Sequence, residues 1–175
     1  MKSGIVIIAE LMGDVGARVL EIQERHDPRM AAELPPHITL VGSSGMGPIP
    51  MRTTLETLRD ALEPITSTTA PIELHFGAPT RFMQTNIVVL PLDPHGPLRA
   101  LHERIKQSGL SYEPPRFPFT PHCTLNFYPE LTRERLRELM SVRISDPVCL
   151  DRIECYRTVD LTRTSKILEL PLVGS

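Results

Sequence analysis

Short apolar runs alternate along the chain with stretches where apolar residues recur every three or four positions, a pattern that predicts strands separated by amphipathic helices. Residues 5–11 begin with the branched run Ile5-Val6-Ile7-Ile8-Ala9 and read as a buried strand. Gly13-Asp14 opens a helix over residues 15–26, with Val19, Leu20 and Ile22 toward the core and Glu21, Glu24 and Arg25 toward water, and Asp27-Pro28 ends it. Pro35 and Pro36 hold the next segment extended, because a proline restricts the residue before it, and they lead into a strand over residues 37–41. A polar loop over 42–48 follows. A second helix over 51–62 places Leu55, Leu58 and Leu62 on one stripe and stops at Pro64. Residues 71–76 alternate as a strand, 77–85 connect, and 86–90 form another buried strand. A helix over 97–107 carries Leu98, Leu101 and Ile105 and closes at Gly109, and a helix over 133–140 follows Thr132. Strands over 148–159 and 166–170 finish the chain.

This order repeats. Ile5-Val6-Ile7-Ile8 answers Ile87-Val88-Val89-Leu90 at an offset of 82, and Ile72-Glu73-Leu74-His75 answers Ile153-Glu154-Cys155-Tyr156 at 81. Such agreement predicts an internal duplication about a pseudo-twofold axis, with repeats over 4–83 and 86–160 and a terminal strand over 165–171. The expectation is one bilobal domain with a cleft between its lobes.

The repeat also carries chemistry. Pro36-His37-Ile38-Thr39-Leu40 recurs as Pro121-His122-Cys123-Thr124-Leu125, 85 residues later. In a strand successive side chains point to opposite faces, so each copy presents an imidazole and a hydroxyl on one face, braced from behind by apolar residues. Facing pairs would supply two proton carriers and two hydroxyl donors around one anionic group, as a phosphodiester requires. Cys123 alternates away from His122 and is expected to be a buried thiol. Either motif taken alone is more simply an ordinary strand segment, with threonine chosen for β-propensity. Two copies at duplicated positions favour catalysis.

Composition narrows the partners. Hydrophobic residues at 41% and charged residues at 23% describe an ordinary globular chain. A formal net charge of −2 gives no blanket attraction to nucleic acid, so a long DNA duplex is an unsuitable partner and any RNA contact must be local. Lys2 precedes the first apolar run, but Glu10 interrupts it; neither a signal peptide nor a membrane span is expected, and the chain reads as cytoplasmic. Cys123, Cys149 and Cys155 show no metal-ligand spacing and are expected to be reduced and buried, while His26, His95 and His102 are expected at the surface. The proline-rich connector 112–121 holds Arg116, placed to meet a phosphate, and Phe119, placed either to stack on a base or to pack. His75 and Tyr156 fall out of phase with the apolar residues of their strands and line either the cleft or a solvated face.

The paired Pro-His-x-Thr-Leu stretches in a duplicated chain of this size resemble the two-histidine (2H) phosphoesterase superfamily, the 2′-5′ RNA ligase and cyclic phosphodiesterase-like group. The resemblance implies an α+β bilobal duplicated fold of two antiparallel sheets with helices outside and a central cleft. It implies hydrolysis of a cyclic or 2′-5′ phosphodiester of a nucleotide or short single-stranded RNA end, without metal or other cofactor; separately, a monomer is expected. His37 would be the acid, His122 the base, and Thr39 and Thr124 the phosphate-oxygen donors. The RNA ligase-like branch commonly has an arginine just beyond the second motif; here stand Asn126 and Phe127, which leaves the branch open. Two other readings remain: a non-catalytic nucleotide or RNA binding module on the same scaffold, and a zinc hydrolase using His37, His122 and another ligand.

Overall fold

The computed structural model describes residues 3–42, 44–160 and 163–175, so Lys2 and Ser43 of the 42–48 loop lie outside the described residues. Its elements run β1 (Gly4–Glu10), α1 (Gly13–His26), α2 (Pro28–Glu33), β2 (His37–Val41), α3 (Leu55–Thr66), β3 (Ile72–Leu74), β4 (Thr80–Arg81) and β5 (Val88–Pro91). They continue α4 (Gly96–Lys106), β6 (His122–Asn126), α5 (Arg133–Met140), β7 (Val148–Leu150), β8 (Arg152–Asp160) and β9 (Arg163–Pro171). The class is α+β, and every ladder between these strands is antiparallel.

The two expected sheets are a four-stranded one, ordered β2-β1-β8-β9, and a three-stranded one, ordered β4-β5-β6. A third, two-stranded sheet pairs β3 with β7. The continuous apolar run of β1 is explained by its place between β2 and β8, where Ile5 to Ile8 are covered on both faces.

The strongest sign of repetition is in the register. In the first sheet Glu10 pairs with His37, Ala9 with Ile38, and Ile8 with Thr39, and a bulge falls between Ile7 and Ile8. In the second sheet Pro91 pairs with His122, Leu90 with Cys123, and Val89 with Thr124, with the bulge between Val88 and Val89. A bulge is a specific distortion of one ladder, so its recurrence at the same step equates β1 with β5 and β2 with β6. The β1 offset becomes 81 rather than the 82 read from apolar residues.

The other sequence correspondence does not hold. Residues 72–74 do not match 153–156; Ile72 instead pairs with Leu150, joining the halves. The counterpart of β8 is β4, since each flanks the central strand: Glu154 pairs with Ile8, and Thr80 with Val89. Connector lengths differ between the halves, so a constant sequence offset fails where hydrogen-bond register succeeds.

Four further expectations are corrected. Asp27-Pro28 does not simply end a helix; the Asp27 carboxylate accepts from Met30 N at 3.1 Å and caps α2, with Pro28 in the first turn where its missing N–H costs nothing. Pro64 lies inside α3, which begins after the Thr54 cap, leaving Leu55 47% exposed while Leu58, Leu62 and Ile65 are buried. The hydroxyls of Thr68 and Thr69 donate to the carbonyls of Pro64 at 2.8 Å and Ile65 at 2.7 Å, satisfying the last turn. His26 and His102 are buried, each held by a partner, and Cys149 is exposed because the short β3–β7 sheet covers only one face.

Candidate active site

Each motif is delivered by the same local device. The carbonyl of Pro36 accepts from Leu11 N at 2.8 Å, and that of Pro121 from Leu92 N at 3.0 Å, which locks the proline to the end of the neighbouring strand. One residue on, His37 Nδ1 meets the Pro35 carbonyl at 2.7 Å, and His122 Nδ1 meets the Thr120 carbonyl at 2.6 Å. A carbonyl only accepts, so Nδ1 carries a proton in both rings. Each Nε2 is therefore a lone pair when the ring is neutral and a donor when it is charged. Pairing of Ile8 with Thr39 and of Val89 with Thr124 sets both hydroxyls on the faces that carry the imidazoles.

The halves bring these faces together through contacts that the sequence did not announce. β2 and β6 pack against each other although they belong to different sheets. Gln23 of α1, itself buried, donates Nε2 to the Thr124 carbonyl at 2.7 Å, and His102 of α4 bonds through Nδ1 to the Leu40 carbonyl at 3.0 Å. A helix from each half thus grips the motif strand of the other. Asp27, fully buried, adds Oδ2 as acceptor for Phe127 N at 2.7 Å and Tyr128 N at 2.9 Å, fixing the chain just after the second motif. Gly42 closes the first motif: a Cβ there would lie 2.9 Å from the Thr39 methyl, so only glycine leaves that threonine undisturbed.

Burial pushes the His37 imidazole below its usual range; the hydrogen bond to Pro35 opposes this, and the neighbouring His122 lowers it further. His122 is also lowered by burial, against the hydrogen bond to Thr120. Because β2 packs against β6, the two rings stand on neighbouring strands. Two close imidazoles resist double protonation, and an anion between them would reverse that resistance. Burial raises the Cys123 thiol to about 12, in keeping with a packed thiol. Among the described residues no group of three or more His, Cys, Asp or Glu side chains is placed to share a metal ion.

The remaining predicted residues separate. Tyr156 is buried beside Val6, Ile8 and Leu34, on the sheet face that carries Thr39. His75 lies beyond the end of β3, mostly exposed, with Nε2 3.6 Å from Glu73. Phe119 is buried, one ring face stacked on His102 at 3.7 Å between centroids. Arg116 lines a cavity that none of the four motif side chains enters. Sequence reasoning missed Phe82, which by register occupies the place of Tyr156 in the second sheet and meets the His122 ring edge-on at 5.2 Å. It lay in a stretch read as a connector, and a two-residue strand leaves no periodic signal.

Some known proteins are similar to this chain in sequence, and some solved structures are similar to it in architecture. A protein of Bacillus thuringiensis (strain Al Hakam) carrying the name "Putative phosphoesterase" is 31% identical over 129 residues, covering 71% of this chain and 69% of its own. TT0787 of Thermus thermophilus superposes with a TM-score of 0.71 at 17% identity, covering 97% of this chain and 98% of that one. E. coli LigT, crystallised with 3′-AMP, gives 0.60 at 15% identity over 99% and 100% of the two chains. The model of one family, described as the 2′-5′ RNA ligase superfamily, matches residues 13–160, and with both histidine motifs inside that span the chain belongs to this superfamily.

Proposed function

We propose that the chain is a phosphoesterase that hydrolyses a cyclic or 2′-5′ phosphodiester of a nucleotide or RNA end by paired-histidine acid–base catalysis. The observation that carries this reading is the matched hydrogen bonding of His37 and His122, which gives two neighbouring imidazoles of one tautomer, each with Nε2 left for substrate. The phosphodiester lies between the motif faces. His122 Nε2, neutral, takes a proton from water as its oxygen attacks phosphorus; the bond from phosphorus to one sugar oxygen breaks, and His37 Nε2–H protonates that oxygen. Thr39 and Thr124 donate to the non-bridging oxygens, where developing charge makes each bond stronger than in the ground state. One turnover consumes water and leaves a phosphomonoester and a free hydroxyl. The exchanged protons then reset the rings through solvent.

This chemistry needs no metal ion from the protein. The test is hydrolysis of 2′,3′-cyclic nucleotides and cyclic-ended oligoribonucleotides, with and without chelator, by wild type, His37→Ala and His122→Ala. Turnover that survives chelation and is lost in both variants supports the reading. Nucleotide affinity without turnover on any cyclic or 2′-5′ substrate overturns it in favour of a binding module. Activity abolished by chelator and restored by zinc overturns it in favour of a metal hydrolase.

A further inference from the structure

Outside the histidine pair, α4 and the stiff connector after Glu113 enclose a cavity of about 450 Å³. Three cations line it: Arg99 and Lys106 from α4, and Arg116 from the connector. The single carboxylate in the lining, Glu103, is engaged with Arg99 at 3.4 Å. Lys106 and Arg116 have no ion-pair partner among the described residues. For a chain of formal charge −2 this is a local concentration of unneutralised positive charge.

An aromatic side chain stands at the same cavity. Phe117 is 63% exposed, yet its backbone is fixed: its carbonyl accepts from Gly45 N at 2.8 Å, and it bridges Ser44. The floor is rigid as well. His102 stacks on Phe119 and is tied to Leu40, and Gly45 adopts φ +72°, with any Cβ there falling 2.4 Å from His102 Nε2. A held, exposed ring beside free cations is the combination that takes a base on its face and a phosphate at its edge. Phe117 rather than the buried Phe119 is the aromatic residue open to such a contact.

We propose that this cavity binds a second nucleotide unit of a single-stranded RNA, with Arg116 and Lys106 on its phosphate and Phe117 against its base. The proposal deepens the function above by naming an oligoribonucleotide rather than a mononucleotide as the preferred substrate, and rests on that reading for what happens at the histidines. Phe117 precedes His122 by five residues, so the chain limits their separation to about 18 Å, a distance that a few nucleotides span. The strand would enter at the cavity and end between the motifs.

The test measures anisotropy of a fluorescent hexaribonucleotide ending in a 3′-phosphate, which has no cyclic end to cleave, across a salt series. Wild type, the double variant Arg116→Ala/Lys106→Ala and Phe117→Ala are compared, with circular dichroism to confirm folding. The expected result is binding at least 10-fold weaker in the double variant, with its salt slope reduced by about 0.7 for the one phosphate no longer neutralised. Phe117→Ala is expected to weaken binding about 5-fold or more. Hydrolysis of a 2′,3′-cyclic mononucleotide stays within about 2-fold of wild type in both variants, a margin well below the effect of one lost phosphate contact. Unchanged affinity and slope in the double variant overturn the proposal, as does a wild type that does not bind the hexamer. AMP binding as tightly as the hexamer, with the same dependence on Phe117, also overturns it and makes the occupant a free nucleotide. Should no cyclic diester be hydrolysed while binding behaves as stated, the cavity proposal stands and the phosphoesterase reading falls.

Discussion

The two half-sites share a scaffold and differ in what surrounds it. Both histidines follow a proline locked to the adjacent strand, both give Nδ1 to a carbonyl two residues upstream, and both lie on a strand that bulges at the leucine after the motif threonine. Beyond that the halves diverge. The first motif lies on a four-stranded sheet whose β8 contributes buried Tyr156 and Glu154, whereas the second lies on a three-stranded sheet whose short β4 leads to Phe82. His37 is lowered by burial and again by its neighbour; His122 is lowered by burial and touched by an aromatic edge. The two imidazoles share a tautomer but not their walls, and unequal walls are what the proposed division into acid and base would draw on.

The largest effect expected is loss of about 10²–10⁴-fold in kcat/KM on a cyclic nucleotide for either His37→Ala or His122→Ala. The residual pH profiles sharpen the contrast: if His37 is the acid, its removal abolishes the alkaline limb, while removal of His122 abolishes the acid limb. Profiles that lose the same limb would dissolve the proposed division of labour. Next, Asp27→Ala is expected to cost about 3 kcal/mol in urea denaturation, because three backbone N–H groups lose their buried acceptor. That cost belongs to the junction of the halves, and amide exchange should accelerate first at Phe127 and Tyr128.

Thr39→Ala and Thr124→Ala should each lower kcat/KM by about 1.5–3 kcal/mol, or roughly 10–100-fold, with similar values if the phosphate lies symmetrically. A gap of more than about 1 kcal/mol between them would show an off-centre phosphate. Glu154, whose place in the second sheet is taken by the uncharged Thr80, offers a smaller handle. Burial raises its carboxyl to about 7, against the hydrogen bond from Glu10 N, so the folded state holds a proton that the unfolded chain has released above its ordinary pKa. Stability from this group is therefore lost as pH rises from the ordinary carboxylate range to about 7, and Glu154→Gln should recover about 2 kcal/mol at pH 8 and nothing at pH 4. Equal gains at both pH values would refute it.

The smallest effect is a displacement of the pH optimum. With both free imidazoles lowered, the kcat/KM bell should centre below the ordinary histidine value of about 6.5. A centre above 6.5 in the free enzyme would contradict the lowering of both half-buried rings.

Several features were legible because they are local. The four motif residues announce themselves by alternation within two strands, and the helices over 13–26, 96–106 and 133–140 follow from apolar spacing and from turn residues at their ends. Other features were hidden because they depend on pairs of distant residues. Asp27 looks like a helix stop until Phe127 and Tyr128 arrive 100 residues later. His102 looks like a surface histidine until Leu40 offers it a carbonyl, and Phe82 looks like loop until β5 and β6 give it a neighbour in His122. Matching Tyr156 to His75 followed from a constant offset, which loops of unequal length do not preserve.

By itself, then, the sequence determined the two Pro-His-x-Thr-Leu stretches, the faces of their side chains on their strands and the helices between, since these follow from periods of two and of three to four residues acting over a few positions. Tertiary structure alone decided that β2 and β6 meet, that both rings share a tautomer and an electrostatic neighbourhood, and that Phe117 rather than Phe119 stays open. Those outcomes depend on buried carbonyls and carboxylates finding partners across the chain, and a buried polar group is satisfied by whatever the fold brings to it.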